Sequence, residues 1–460
     1  FFKQKTAYDI MPSLVGSEMC IRDRNCRMRY RADHLIETEL GIAHAEDLTV
    51  EQMNALISKH RLTCPGCGGE LSVVQWFNMM FDVTVGPSMG EMKGIISDAK
   101  KSGNLDVGRL LDVYKQVENS TAYLRPETAQ TPYLCFKREF ESLRSRLPLG
   151  LAVIGRAYRN EISPRQGLFR MREFTQAELQ IFIDPDSIDS HENYHEVSGN
   201  RIPVYRPGQK EAVIRLKLDE LGLPEMYAYY MAKVYEFITE KIGLPEDRLR
   251  FRELSEREKA FYNKIHWDVE FYFGSFDTYR EIAGVHYRGD HDLRGHGETS
   301  GQNLTAVRQD GSKFYPHVIE LSFGVDRGVF ALIDAAYSVE DAPTAKGGVD
   351  KRVILRLPRH VAPIQIAVFP LLSNRRELTD KAREVYDRLV KLPEGYRCFY
   401  DESGAIGRRY RRQDSIGTPY CVTIDFDTLK DDTVTVRDRD SMKQERVKIS
   451  ELGDYFGEKF

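Results

Sequence analysis

The stretch 155-GRAYRNEISPRQGLFRMREFTQAE-178 decides the fold. It reads as two strands, "LAVIGRAYRNEI" (151–162) and "REFTQAELQIF" (172–182), joined by the loop "SPRQGLFRM" (163–171). Side chains on a strand alternate faces with period two. Arg159 and Glu161 therefore share a face of the first strand. On the second, Arg172, Phe174, Gln176, Glu178 and Gln180 share a face, and Thr175, Ala177, Leu179 and Ile181 take the other. One side of the hairpin is thus built of charges and one aromatic ring. The plain alternative to a ligand-binding face is a solvated outer face, whose cross-strand ion pairs contribute roughly a few tenths of a kcal/mol each.

Working outward, "HVIELSFGVDRGVFALIDAAY" reads as a strand with Glu320 and Ser322 on one face. Gly324 then turns the chain into an amphipathic helix whose first turn holds Asp326 and Arg327. A helix N-terminus with an added guanidinium suits a phosphate tail. "YLRPETAQ" adds Glu127, and "REIAGVHYRGDHDL" adds Glu281 and Arg288. Planar guanidinium forks select phosphate and carboxylate oxygens. A Phe on the same face stacks on a base, and clustered glutamates suit an ammonium group or a metal ion. ATP together with an amino acid satisfies all three demands. No GxxxxGK[ST] or GxGxxG occurs, which disfavours a P-loop or Rossmann site.

The rest of the chain sets bounds. At 460 residues it predicts two or three domains, and its net charge of −4 gives no global attraction to a polyanion, so nucleic-acid binding has to be local. There is no run of about 18 apolar residues to span a membrane, and a cytoplasmic location is expected. The seven cysteines do not form a disulfide framework. Residues 1–24 begin with Phe, show no strand or helix period and resemble translated sequencing-adapter read-through. They are expected to be non-native, with the true N-terminal part absent. "DLTVEQMNALISKH" predicts a helix capped by Thr49, "EMYAYYMAKVYEFITEKIG" predicts another, and residues 346–357 read as a linker. Beyond it, strand and helix alternate from "PIQIAVFPL" to "ERVKIS", which predicts a separate small α/β domain over 358–460.

These motifs resemble a known family. "YRNEISPRQGLFRMREFTQAE" is similar to motif 2 of class II aminoacyl-tRNA synthetases and "ELSFGVDRGVFAL" to motif 3. "YLRPETAQ" with "RYRADHLIE" resembles the homodimeric type of glycyl-tRNA synthetase, and the resemblance runs from 26 to 460. It implies an α/β (α+β) architecture: an antiparallel-sheet catalytic domain with helices over 25–345, carrying insertions near 60–70 and about 186–270, followed by an anticodon-binding domain. Motif 1, which supplies the dimer interface, is expected upstream of residue 25 and absent.

The implied substrates are ATP with Mg²⁺, glycine and tRNA(Gly). Arg159 would hold the α-phosphate, Phe174 would stack on adenine, and Arg327 would pair with the γ-phosphate or cover the other adenine face. Asn160, Glu161 and the loop Phe169, Arg170, Met171, Arg172 and Glu173 would close on the nucleotide. Glu281 and Ile282 would line its site, Glu281 as a Mg²⁺ ligand, with Gly324, Val325 and Asp326 at the helix start. Glu127, Glu178, Glu320 and Ser322 would take the glycine ammonium, flanked by Phe174, Thr175, Gln176, Ala177, Leu321, Phe323 and Gly324. Arg288 would meet the carboxylate or the adenylate, and Arg29 or Arg31 would reach the substrate.

Two further features carry chemistry. A helix in the last domain bears Arg408, Arg409, Arg411 and Arg412, a phosphate-contacting patch for tRNA or, more plainly, a solvated face. "CPGCGG" places Cys64 and Cys67 as in a zinc knuckle. Cys26 is a third ligand candidate, and its CxxC partner would fall at position 23, which is Asp23. The expectation is a four-cysteine Zn²⁺ site in the intact protein that this chain cannot complete. Against the synthetase reading stand a non-catalytic synthetase-like nucleic-acid-binding subunit, disfavoured by the intact Arg159, Phe174, Glu320 and Arg327, and another class IIa synthetase, disfavoured by the glutamates and "RPETAQ".

Overall fold

A computed structural model describes residues 17–164, 167–208, 213–343 and 348–460. The N-terminal module is a three-stranded antiparallel sheet of β1 (Ser17–Arg22), β2 (Arg29–Arg31) and β3 (Gln75–Asn78), with β1 in the middle. Helices α1 (Ala32–Leu40) and α2 (Val50–His60) cover it and bury Ile21, Ala32, Ile36 and Met53 completely. Thr49 caps α2 as expected: its hydroxyl accepts the Gln52 amide, and the Gln52 side chain accepts the Thr49 amide. Residues 17–22, which show no strand period, form β1, with Ser17–Cys20 paired to β3 and Cys20–Arg22 to β2, anchored by Ile21 and Cys20.

The central domain runs through α3 (Gln130–Ser142), β4 (Leu149–Tyr158), β5 (Glu173–Ile183), β6 (Arg201–Tyr205), β7 (Ile214–Lys217), α4 (Glu225–Glu236), β8 (Leu249–Glu253), β9 (Ile265–Phe273), β10 (Thr278–Gly289), α5 (His291–Ser300), β11 (His317–Gly324) and α6 (Val325–Ala336). Its eight strands lie in the order β4-β5-β11-β10-β9-β8-β6-β7. Every neighbouring pair is antiparallel except β8 with β6. The "IHWDVEFYF" of β9 shows why: Trp267, Val269, Phe271 and Phe273 alternate inward, at most 1% exposed, in one core with Tyr227 and Met231 of α4. Each such burial stabilises by about 1.5–3 kcal/mol.

The hairpin forms with Ala157 opposite Phe174, Gly155 opposite Gln176 and Val153 opposite Glu178. Its first strand stops at Tyr158, four residues short of the sequence expectation. The Arg159 amide still reaches the Arg172 carbonyl (3.0 Å), but the Asn160 amide turns away to the Met79 carbonyl (2.6 Å) of the N-terminal module. Glu161 is therefore a loop residue.

Within the expected linker 346–357, Val349–Leu355 is a strand paired antiparallel with Tyr337–Pro343, and residues 346–347 lie outside the described residues. Charged neighbours hide its apolar alternation, and Arg352 is fully buried with Nε on Asp414 (2.7 Å) and Nη1 on Glu340 (2.6 Å). The last domain follows the expected alternation: β12 (Ile366–Pro370), α7 (Arg376–Val390), β13 (Cys398–Tyr400), α8 (Ile406–Ile416), β14 (Tyr420–Ile424), β15 (Thr433–Asp438) and β16 (Gln444–Lys448). β12 is parallel to β13 and β14, and β15 and β16 add antiparallel strands. No described helix is long and apolar enough to cross a membrane.

Candidate active site

A cavity of about 220 Å³ opens where β5, β10 and β11 meet the start of α6. Its outer end is lined by guanidinium groups and rings. Arg159 donates from Nε to the Pro126 carbonyl (3.1 Å) and lies 5.4 Å from the centre of the Phe174 ring. Arg327, in the first turn of α6, donates to the Glu281 carboxylate and carbonyl (both 3.0 Å) and to the Phe169 carbonyl (3.2 Å). Asp326 accepts the Thr175 amide (2.6 Å). These bonds tie the hairpin to a helix N-terminus, so the site's cations are fixed before any ligand arrives. Glu161 pairs with Arg170 (2.9 Å) and folds the loop over the cavity mouth. The Phe169 ring packs on Phe273 (4.8 Å) and Phe330 (5.5 Å), so it anchors that loop.

The inner end is a buried carboxylate cluster. Glu127, Glu178 and Glu320 all line the cavity, the last two 5% and 3% exposed. Arg288 is clamped by Asp292 through Nε (2.8 Å) and Nη2 (2.9 Å) and donates Nη1 to Glu320 (3.0 Å). Glu320 also receives Gln180 (2.8 Å) and His286 Nδ1 (2.6 Å). Glu127 accepts from Gln130 (3.1 Å), which His296 holds in turn (2.7 Å). Glu178 Oε2, in contrast, is buried with no hydrogen-bond partner.

The titration of the three acids follows from this wiring. Burial would raise the Glu320 carboxyl, but Arg288, His286 and Gln180 override it and hold it well below the usual carboxylate range. Burial raises Glu127. Glu178 is pushed up to about 8 by burial and by the charges of Glu320 and Glu127. A buried carboxylate oxygen without a partner is costly, so this end of the cavity is complementary to a cation of ammonium size.

The structure thus brings together most of the residues read from sequence: Arg159, Glu161, Phe169, Arg170, Met171, Phe174, Thr175, Gln176, Glu178, Glu127, Glu281, Arg288, Glu320, Ser322, Gly324, Asp326 and Arg327. Arg288 lines the cavity, and in this structure its guanidinium also holds Asp292 and Glu320 in place. Asn160, Arg172 and Glu173 fall outside. Asn160 bonds the Asn78 carbonyl, Arg172 the Glu161 carbonyl (both 3.3 Å), and Glu173 lies 3.6 Å from Arg156 on an exposed face. Ala177, Ile282, Phe323 and Val325 line an apolar groove of about 410 Å³ reached from the other sheet face, and Leu321 is core. Arg29 stacks on Phe77 (5.5 Å), and Arg31 binds Glu18 (2.8 Å) and Asp33; neither reaches the cavity. Sequence reading missed His286 and Tyr262, which both line it. His286 shares its strand face with Arg288 and was legible by alternation, whereas Tyr262 lies in a loop that gives no period.

In the last domain, Arg409 is 1% exposed and donates to the Gly404 and Pro370 carbonyls, which removes it from any phosphate patch. Arg412 pairs with Asp401 (2.6 Å), and Arg408 is exposed.

Comparison with known proteins agrees with this geometry. Residues 113–336 match the tRNA synthetase class II core domain (G, H, P, S and T), and residues 365–459 match the anticodon binding domain. The chain is 36% identical to a glycine–tRNA ligase of Pyrococcus horikoshii, covering 93% of this chain and 82% of that one. Glycine–tRNA ligases of Aeropyrum pernix and Methanothrix thermoacetophila are each 34% identical, covering 94% of this chain and 81% of theirs. In fold it is similar to prolyl-tRNA synthetase from Cryptosporidium parvum complexed with L-proline and AMP, with a TM-score of 0.50 and 19% identity over 74% of this chain and 58% of that one. With a class II core domain, an anticodon binding domain and 36% identity to a glycine–tRNA ligase over 93% of its length, the chain belongs to the glycine–tRNA ligase family of class II aminoacyl-tRNA synthetases.

Proposed function

We infer that this chain joins glycine to tRNA(Gly) at the expense of ATP. The observation that carries the reading is Glu178, a buried carboxylate whose Oε2 has no hydrogen-bond partner, lining the same cavity as Glu127 and Glu320. It would take the glycine ammonium, and each charge-assisted bond there contributes about 1.5–3 kcal/mol. The glycine carboxylate then lies toward Arg159, whose guanidinium would hold the α-phosphate while Phe174 stacks on adenine. An oxygen of that carboxylate attacks the α-phosphorus and pyrophosphate leaves, giving glycyl-adenylate. A ribose hydroxyl of the tRNA end next attacks the carbonyl carbon and AMP leaves. No side chain forms a covalent bond. Catalysis is positioning and charge stabilisation by groups fixed in advance.

Glu281, half exposed at the cavity mouth and already oriented by Arg327, fits a Mg²⁺ ligand on the departing phosphates, where the ion would neutralise developing charge. The last domain would bind the anticodon stem. A homodimer is consistent with the apolar groove and its rim of exposed Ile154, Phe237 and Val329. A structural Zn²⁺ at Cys26, Cys64 and Cys67 fits the same reading. The test is charging of tRNA with radiolabelled glycine in the presence of ATP, against alanine, serine and proline. Selective glycine charging is expected, and charging with none of the four overturns the proposal.

A further inference from the structure

The cysteine cluster in the N-terminal module is joined by the side chain at position 23, where the CxxC spacing called for a cysteine and this chain has Asp23. Asp23, Cys26, Cys64 and Cys67 place one ligand atom each within 4.8 Å of one another. The Cys26 and Cys64 sulfurs are 3.7 Å apart. A tetrahedron built on metal–sulfur bonds of about 2.3 Å has an edge of about 3.8 Å. The Asp23 side chain is fully buried, and apart from the thiols facing it Oδ2 has no partner. A Cβ on Gly69 would stand 2.4 Å from that oxygen and 3.1 Å from Cys67 Sγ, so only glycine permits this approach.

The two halves of the cluster are built alike. The Asp23 amide donates to the Met28 carbonyl (2.8 Å) and the Cys64 amide to the Gly69 carbonyl (2.9 Å), each spanning five residues. In each half the residue after the second ligand is left-handed, Arg27 with φ 63° and Gly68 with φ 69°. Position 23 therefore occupies in the first knuckle the place that Cys64 occupies in the second. We propose that this cluster is a tetrahedral Zn²⁺ site whose fourth ligand comes from position 23, filled in this chain by a carboxylate. Three soft thiolates and one oxygen suit zinc over magnesium or calcium. The expectation that this chain cannot complete the site is thereby revised, since an aspartate oxygen at about 2.0–2.2 Å is an ordinary zinc ligand.

The site also faces the nucleotide loop. Tyr30, whose hydroxyl is 3.2 Å from Cys64 Sγ, and Pro65, between the second pair of ligands, line a groove with Ile162, Ser163 and Arg170 of the hairpin loop. Fixing the knuckles fixes the surface on which that loop rests. The metal site stands apart from the glycine–tRNA ligase reading, and only this consequence for nucleotide binding rests on it.

The test uses the full chain. Elemental analysis should find one zinc per chain, and no zinc, or a Cys26–Cys64 disulfide in its place, overturns the site. Cobalt(II) should give tetrahedral ligand-field bands with thiolate charge transfer. D23C should raise that charge-transfer intensity by about a third and resist chelator better, while Asp23→Ala should release metal to chelator at least tenfold more readily. If Asp23→Ala fails to fold, D23C alone decides, and cobalt spectra and affinity unchanged in D23C would show that position 23 is not a ligand. Trypsin cleavage within 159–172 should quicken several-fold on zinc removal, and unchanged cleavage overturns the loop support whatever the enzyme's activity.

Discussion

The two ends of the cavity solve opposite problems. At the outer end, proposed for the nucleotide, Arg159 and Arg327 are part-exposed and oriented by carbonyls and one half-exposed glutamate. At the inner end, proposed for the amino acid, Arg288, Asp292, Glu320 and Gln180 are buried and wired to one another, and Glu178 Oε2 is left without a partner. A phosphate chain brings its own negative charge and needs only cations in place. A ligand as small as glycine offers no side chain to grip, so the protein keeps ready a buried carboxyl group, Glu178, that burial and its acidic neighbours push up to about 8 and that an ammonium would draw into its ionised form.

Substitutions can break the comparison at either end. Arg288→Ala strands Asp292 and Glu320 without a counter-charge, so urea unfolding should show a loss of about 3–5 kcal/mol together with loss of adenylate formation. Arg159→Ala should leave the unfolding midpoint within about 1 kcal/mol of the parent, because its contact with Phe174 is part-exposed. Its pyrophosphate-exchange kcat/KM should nevertheless fall by about 10²–10³. An R159A variant that unfolds as readily as R288A would erase the distinction between the ends.

Titration sharpens it further. Glu178 holds its proton up to about pH 8 in the empty site, and only the ionised form pairs with an ammonium. The glycine KM should fall on the order of tenfold as pH rises from 6.5 to 8, and Glu178→Gln should bind weakly with a flat profile. Because the folded-state value is raised, the stability that Glu178 contributes is full below the ordinary carboxylate range and drains as pH climbs through 8. E178Q should therefore gain on the parent in urea melts above pH 8. The smallest effect belongs to the last domain: Arg408→Ala should weaken tRNA binding modestly and lower the salt slope by about one. Arg409→Ala, which loses buried bonds to carbonyls, should lower stability instead.

How far the site was legible follows from the same contrast. Alternation along "REFTQAELQ" placed Phe174, Gln176, Glu178 and Gln180 on one face, and the structure keeps that set. It could not say that Arg288 answers to Asp292, because the pair spans the break where β10 ends and α5 begins, and period-two alternation carries no side-chain neighbour past that break. Nor could it tell Arg409 from Arg408, since the buried side of α8, formed by Arg409, Gln413 and Asp414, is polar and hides the usual apolar stripe. The hairpin at 337–355 was obscured in the same way by charges around Val339, Val353 and Ile354. The CxxC spacing from Cys26 pointed to position 23, but that the Asp23 carboxylate lies with the three thiols is seen only once its neighbours in space are known.

The most direct test of the central claim, that the inner carboxylates take an ammonium while the outer guanidiniums hold the nucleotide, is ATP–pyrophosphate exchange with glycine or alanine in the parent and in E178Q. Exchange supported by glycine far above alanine, and lost in E178Q while ATP binding persists, is the predicted result. Equal exchange with glycine in E178Q and in the parent would contradict it.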